Sequence, residues 1–410
     1  MDATGDTRIA LVHDWLTGMR GGEKCLEMMC QRWPEAPLYT LLHKRGSVSP
    51  VIENRPIHAS FSRFFPKAER YYRYLLPLMP AAARWNIPAC DLVISVSHCV
   101  AKAATPPPGT PHLCYCLTPM RYAWHMRNAY FAQAGKLNLK SHMRDWLLNR
   151  LRHWDRRTAE RVTHFVAISK TVQRRIAECY GRESRVIYPP VDTDFYCPAP
   201  VSREDFYLVV SAFAPYKRID LAVEACRRLG RPLVIIGTGQ DEKRLRDIAG
   251  PQVRFLGWQS DDVIREQMRR CRALLFPGEE DFGIVPVEAQ ACGAPVIALG
   301  RGGAVETVLT GSDATGVLFK EQSVECLAEA MVEFERGKDS FSPVAARRHA
   351  LRFQKRRFAD EFFGLVTDII ARKQSIEQRD AASRVVAAQP QRPREERSGT
   401  TENTTAASAR

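Results

Sequence analysis

No stretch of this sequence approaches the ~18 consecutive apolar residues of a membrane-spanning helix. Its polar opening, Met1 to Thr7, carries no apolar signal region. Together these two gaps predict a soluble, cytoplasmic protein. Metal-ligand cysteine spacing is also missing: there are twelve cysteines, but no C-x2-C pair recurs, and Cys114 and Cys116 alone lie close together. Cys90, Cys99, Cys226, Cys271 and Cys292 fall inside apolar runs, so the thiols read as reduced, small core hydrophobes. Zinc spacing, helix-turn-helix and RNP patterns are absent as well, which argues against nucleic acid as a partner. There is no fixed-period repeat.

What is present is globular in composition and large enough for two cores: 410 residues, 45% hydrophobic and 9% aromatic. The net charge of +14 is unevenly placed. Residues 1–200 hold 28 Lys and Arg against 16 Asp and Glu, whereas the remainder holds 32 against 30. The first half therefore faces an anionic partner, either a membrane surface or a phosphate-bearing acceptor.

Short apolar runs alternate with helical segments along most of the chain. Arg8 to His13 reads as a buried strand, followed by a glycine turn (Gly18, Gly21, Gly22) and a helix over about Glu23 to Trp33. Further strands are expected at 91–96, 112–116 and 162–168, with a helix over Lys170 to Tyr180. Pro189-Pro190 and Cys197-Pro198-Ala199-Pro200 break the pattern. A second series then runs through 207–211, 233–236, 253–256, 273–277 and 295–299. This alternation predicts an α/β protein with two doubly wound parallel sheets, whose ligands bind at the carboxyl ends of the strands. The expected domains are 8–199 and 200–375, followed by a disordered tail, 376–410, rich in Gln, Pro, Arg, Ser and Thr.

The segment Phe276 to Glu288 carries the strongest chemical signal. A strand ends at Pro277, a glycine-containing loop follows, and a helix starts near Ile284 with Pro286 in its first turn. Free N–H groups and the positive dipole end can hold an anion there. Glu280 in the loop and Glu288 in the first helical turn can each accept hydrogen bonds from a diol, although acidic residues also favour helix starts for structural reasons.

The Glu-x7-Glu spacing of Glu280 and Glu288, with Phe282-Gly283 between and Ala-Cys-Gly-Ala-Pro-Val-Ile after, resembles the donor-site signature of glycosyltransferase family 4. Pro189-Pro190-Val191-Asp192 and Ala214-Pro215-Tyr216-Lys217-Arg218-Ile219-Asp220 resemble it too, and point to the bacterial mannosyltransferase branch that builds O-antigen and exopolysaccharide. The resemblance runs from about residue 8 to 370. It implies a GT-B fold, two Rossmann-like domains facing across a cleft, and a nucleotide-sugar donor. It further implies hexosyl transfer with retention and no metal. GDP-mannose is the donor by branch resemblance alone.

Carried over by residue, Glu280 contacts donor-sugar hydroxyls, Glu288 the ribose, and the backbone of Phe282, Gly283 and Ile284 the sugar and phosphate. Lys217 matches the lysine on the donor diphosphate, and Gly21 and Gly22 match the glycine turn facing it. Gly237 lies near the nucleotide and Trp258 near the base. Two positions depart from the family. Its arginine five residues before the lysine is here Ala212, so Arg218 either supplies that charge or is a surface cation. Its first-domain histidine is here Leu117, and His98 either faces the cleft as a catalytic group or is a satisfied loop or core histidine. Asp192-Thr193-Asp194 has the Asp-x-Asp form of another transferase fold, but follows prolines near the hinge and is not read as a metal site.

On the acceptor side, Phe61, Phe64, Phe65, Ala68, Tyr71, Tyr72, Leu75 and Leu76 keep a helical period, with Arg63, Lys67, Arg70 and Arg73 largely elsewhere. Arg144 to Arg161 forms a second basic helix with a stripe of Leu147, Leu151 and Trp154. Either these stripes feed the core, or they bring the enzyme to an anionic inner-membrane surface. The acceptor expected there is a polyprenyl-diphosphate-linked glycan. Two rival readings share the architecture: a sugar-nucleotide epimerase, and a catalytically weakened donor-binding subunit.

Overall fold

A computed structural model describes residues 7–60, 78–124 and 139–387. The first lobe holds a seven-stranded sheet: β1 (Ile9–Leu16), β2 (Leu38–His43), β3 (Ile57–Ala59), β4 (Leu92–Ser97), β5 (His112–Cys116), β6 (His164–Ala167) and β7 (Arg185–Val186). Their order is 3-2-1-4-5-6-7, parallel throughout. Its helices are α1 (Gly21–Arg32), α2 (Pro50–Glu53), α3 (Met79–Ala82), α4 (Leu139–Ala159) and α5 (Lys170–Tyr180).

The second sheet comprises β8 (Tyr207–Val210), β9 (Leu233–Ile236), β10 (Val253–Gly257), β11 (Ala273–Phe276), β12 (Val296–Leu299) and β13 (Gly316–Phe319). It is also parallel, in the order 10-9-8-11-12-13. Around it lie α6 (Ile219–Leu229), α7 (Glu242–Ile248), α8 (Asp261–Arg270), α9 (Ile284–Ala291), α10 (Ala304–Thr307), α11 (Val324–Arg336) and α12 (Pro343–Ala350). Both orders reverse direction beside the first strand of their sheet, which opens a crevice at the carboxyl ends.

Burial explains the strands. All eight residues of β1 are buried, as are all of β4 and β5, because helices cover both faces of a parallel sheet. Two members of β1, His13 and Asp14, are polar and fully buried, which demands partners for them. The expected strands and the α5 helix form close to their expected bounds. β2, β3, β7 and β13 were not anticipated. β3 and β7 are edge strands of three and two residues, too short for a pattern to register, and β13 is an edge strand of four that opens on a glycine.

Ten of the twelve cysteines are buried, and no pair is joined. Burial pushes the thiols of Cys25, Cys30 and Cys271 up to about 12, so they sit as protonated apolar side chains. Among the described residues, no helix is long and apolar enough to cross a membrane.

The chain passes from the first sheet to the second between Val186 and Tyr207, and returns near Phe353. There Val191 N–H donates to Phe353 O (2.9 Å), and Val191 bridges Gln354. α13 (Lys355–Ala387) then begins on the first lobe. Phe358 and Phe362 pack edge-on to Tyr115 of β5 (5.6 and 5.5 Å), and Phe363 to Trp33 (5.3 Å). Residues beyond Thr367 form a compact unit of their own, with a Lys373–Glu377 pair at 3.7 Å. Residues 376–387, expected to be unstructured, are helical. Ala, Arg, Gln and Glu are good helix formers, and extending a helix already nucleated is cheap. The remainder of that tail, and the basic segment 61–76, lie outside the described residues.

Candidate active site

A cavity of about 400 Å³ opens between the carboxyl ends of the two sheets. In the first lobe, the turn after β1 delivers Gly21 and Gly22 as the opening residues of α1. A Cβ added at Gly21 would lie 2.7 Å from Ile284 Cδ1, and one at Gly22 2.6 Å from Leu117 Cδ1. The bare Gly21 backbone lets the α1 N-terminus come close to the opposite wall, and Gly22 makes room for Leu117 of its own lobe.

His98 lines the same wall from the turn after β4. Its Nδ1 lies 2.9 Å from Asp14 Oδ2, and its ring meets Trp15 edge-on at 4.5 Å. The Asp14 carboxylate also accepts backbone N–H bonds from His98 (2.6 Å), Cys99 (3.0 Å), Val100 (2.5 Å) and Ala101 (2.7 Å). Burial alone would raise its pKa. The His98 charge and hydrogen bonds, helped by His13, outweigh that and hold Asp14 well below the usual carboxylate range. A carboxylate at Nδ1 fixes the proton there and leaves Nε2 as the nitrogen available to a ligand.

The second wall is built from the loops after β8 and β11. Lys217 ends a short turn, Pro215–Lys217, and its ammonium sits against the Glu280 carboxylate. Burial and the neighbouring Arg121 charge pull Lys217 down to about 7, while Asp281 favours its charged form. Next to Glu280, Asp281 pairs with Arg121 and Arg175 from the first lobe, and its carbonyl accepts from Ser169 Oγ (2.6 Å). Gly283 then turns the chain at φ 88°, a left-handed conformation that L side chains resist, and α9 starts at Ile284. The α9 N-terminus and the α1 N-terminus thus meet across the cavity, each offering free N–H groups to an anion.

Two family models match adjoining stretches of the chain. The model described as Glycosyltransferase Family 4 matches residues 19–195, and that described as Glycosyl transferases group 1 matches 198–351. The chain belongs to the family 4 glycosyltransferases. An uncharacterized glycosyltransferase of Methanocaldococcus jannaschii is 30% identical over 173 residues, covering 41% of this chain and 48% of that protein. A GDP-mannose-dependent α-(1-6)-phosphatidylinositol monomannoside mannosyltransferase of Mycobacterium tuberculosis is 30% identical over 197 residues, covering 40% and 51%. These matches take in about half the length of each relative. The Anabaena protein HepE, solved with UDP-glucose, superposes with a TM-score of 0.64 at 18% identity, covering 88% of this chain and 100% of that one. The fold is GT-B.

In this family 4 chain, Gly21, Gly22, His98, Lys217, Glu280, Phe282, Gly283 and Ile284 line one cavity. Arg218, Gly237, Trp258 and Glu288 lie outside it. The Arg218 guanidinium is engaged by Asp220 two residues on (Nε–Oδ1 3.2 Å), so it does not fill the place vacated at Ala212. Gly237 has φ 134°, and a Cβ there would lie 1.9 Å from Ser211 O, so this glycine serves backbone packing behind the cavity. Trp258 is exposed.

Because α9 begins at Ile284, Glu288 falls in its second turn rather than its first. It is buried against α1, where Lys24 Nζ donates to Oε1 at 3.2 Å. Burial raises its pKa and Lys24 opposes the rise. Asp192 pairs with Lys355 and accepts from Phe195 N–H (3.2 Å). Among the described residues, no group of three or more His, Cys, Asp or Glu is placed to hold a metal ion.

Three site residues escaped the sequence. Asp14 carried a signal, as an acid within an apolar strand. Arg121 follows Thr118-Pro119 with nothing local to mark it. Asp281 sat between more conspicuous neighbours.

Proposed function

We propose that this protein is a metal-independent, retaining hexosyltransferase that moves mannose from GDP-mannose onto a polyprenyl-diphosphate-linked glycan, giving an α-linkage. The observation that carries this is the convergence of Lys217, Glu280 and the α9 N-terminus on one cavity, opposite the N-terminus of α1. In the reaction, an acceptor hydroxyl oxygen bonds to the anomeric carbon as that carbon's bond to the diphosphate oxygen breaks. The hydroxyl proton ends on the departing diphosphate. Negative charge grows on that leaving group, and a fixed ammonium and two helix N-termini are already aimed where it grows. His98 Nε2 hydrogen-bonds a sugar hydroxyl, and Glu280 accepts from others. The mannosyl donor is supported by the GDP-mannose in the name of the mycobacterial relative.

The acceptor end is supported by α4. Leu151 and Trp154 of its apolar stripe go to the core of the first lobe, yet Met143 and Trp146 nearer the start of the helix are 64% and 58% exposed. Arg150 lies over the Trp146 ring at 5.2 Å, with Arg156 and Arg157 exposed about two turns on. An indole flanked by cations suits an anionic bilayer interface, each cation adding about 1 kcal/mol.

A thermal-shift panel of GDP-mannose, UDP-glucose, UDP-GlcNAc, GDP-fucose and dTDP-rhamnose tests the donor, with EDTA present throughout. The largest rise should come from GDP-mannose, and no rise with any of them would sink the reading. Co-sedimentation with neutral and anionic vesicles tests the membrane contact, which equal binding at low salt would overturn.

A further inference from the structure

Among the described residues lining the second wall, Lys217 is the one cation, and position 212, which lines the same cavity, offers only a methyl group. A second cation nonetheless reaches that spot from the other lobe. We propose that Arg121 and Lys217, one from each lobe, form the cation pair that grips the diphosphate of the nucleotide-sugar, Arg121 serving in place of a charged side chain at 212. This rests on the donor reading above.

Four observations carry it. Arg121 lines the cavity in the loop after β5. Its Cζ lies 5.7 Å from the centroid of the Tyr216 ring, and Lys217 Nζ lies 5.2 Å from the same centroid, so both cations border one aromatic ring. They are close enough that the Arg121 charge lowers the pKa of Lys217. Each cation is held by a carboxylate, Lys217 by Glu280 and Arg121 by Asp281, and a diphosphate between them competes for both.

The fourth observation concerns Asp281. Arg121 is paired with its Oδ2 (Nε 3.1 Å), while Arg175 pairs with its Oδ1. The carboxylate therefore has two guanidinium partners where one suffices. A diphosphate can draw Arg121 away and leave Asp281 still paired, so the exchange strands no buried charge. A guanidinium also matches phosphate oxygens two at a time, which the Lys217 ammonium cannot. Because the two cations come from different lobes, a bound diphosphate bridges the cleft.

The test is titration calorimetry on the full chain, comparing wild type, Arg121→Ala and Arg121→Lys. The ligands are GDP-mannose, GDP and GMP, repeated with UDP-glucose, UDP and UMP. Arg121→Ala should weaken diphosphate ligands by about 10- to 100-fold, the range for a charge-assisted hydrogen bond. Monophosphate binding should change by less than about threefold, and Arg121→Lys should fall between. Equal diphosphate affinity in wild type and Arg121→Ala would overturn the proposal, as would an equal loss for mono- and diphosphates. If Arg121→Ala does not fold, Arg121→Lys carries the same comparison. A raised acceptor KM with unchanged donor affinity would assign the guanidinium to the acceptor's diphosphate instead, and also overturn it. If wild type binds none of these nucleotides, the donor reading falls and takes this proposal with it.

Discussion

His98 Nδ1 lies 2.9 Å from Asp14 Oδ2, so a ring at the edge of the cleft is held by a carboxylate fully buried in the first strand. The same carboxylate collects four backbone N–H groups. Removing its charge leaves those donors poorly matched. Asp14→Asn should therefore lower unfolding free energy by about 3 kcal/mol or more, measured by denaturant titration. The sign with pH follows from the lowered pKa. Asp14 stabilises the fold fully above its unfolded value near 3.8, and that contribution is lost as pH falls below it. The variant should flatten that acid limb. His98→Ala removes the ionic partner of buried Asp14 and should also lower stability, though by less than Asp14→Asn because the four N–H donors remain. It should cut transfer by about 10²-fold in kcat, with GDP-mannose affinity nearly unchanged.

Lys217 gives a different pH signature. Burial and Arg121 bring it down to about 7, whereas a bound diphosphate favours its charged form. Binding above that value must take up a proton, and donor affinity should fall as pH rises from about 7 to 9. GDP-mannose suits the measurement because its diphosphate has no terminal group titrating nearby. Calorimetry in buffers of different ionisation enthalpy should show proton uptake at pH 8 and none at pH 6. Lys217→Ala should abolish the uptake and lower kcat/KM by about 10²- to 10³-fold.

How much of this was legible in the sequence depends on what each residue answers to. Tyr207 to Val210, Leu233 to Ile236 and His112 to Cys116 announce themselves because a strand buried on both faces is apolar along its whole length. Glu280, Phe282 and Gly283 were readable because strand, loop and helix start follow one another within a dozen positions. Arg121 was not, since its partners Asp281 and Tyr216 lie on the other lobe and no local spacing encodes them. Arg218 illustrates the converse. Its position beside Lys217 suggested a shared role, but the left-handed turn at φ 51° and the nearby Asp220 settle its guanidinium elsewhere.

Gly237 supports a stability prediction free of catalytic assumptions. At φ 134°, an alanine is strained, and its Cβ would lie 1.9 Å from the Ser211 carbonyl oxygen. Backbone has to move, so Gly237→Ala should cost about 3 kcal/mol or more, seen as a lower midpoint in denaturant. Gly46→Ala, with φ 71° but open space around it, should cost only about 1 kcal/mol.

Lys24 and Glu288 tie α1 to α9 at 3.2 Å, with the carboxylate buried. Lys24→Ala strands that charge and should destabilise by about 3–5 kcal/mol. Glu288→Gln in the same background should recover part of the loss, because no ion is then left unpaired. A double-mutant cycle by thermal unfolding reads the coupling, and additive losses would show that the two side chains act independently.

The hydrogen bond between Val191 and Phe353 has a mechanical consequence. The polypeptide joins the lobes along two segments, and these are fastened to each other rather than spread along the crevice. Like a door hung on two adjacent pins, such a joint permits swing about one axis and resists shear and twist. Any opening of the crevice would therefore turn about the crossing at Val191 and Phe353.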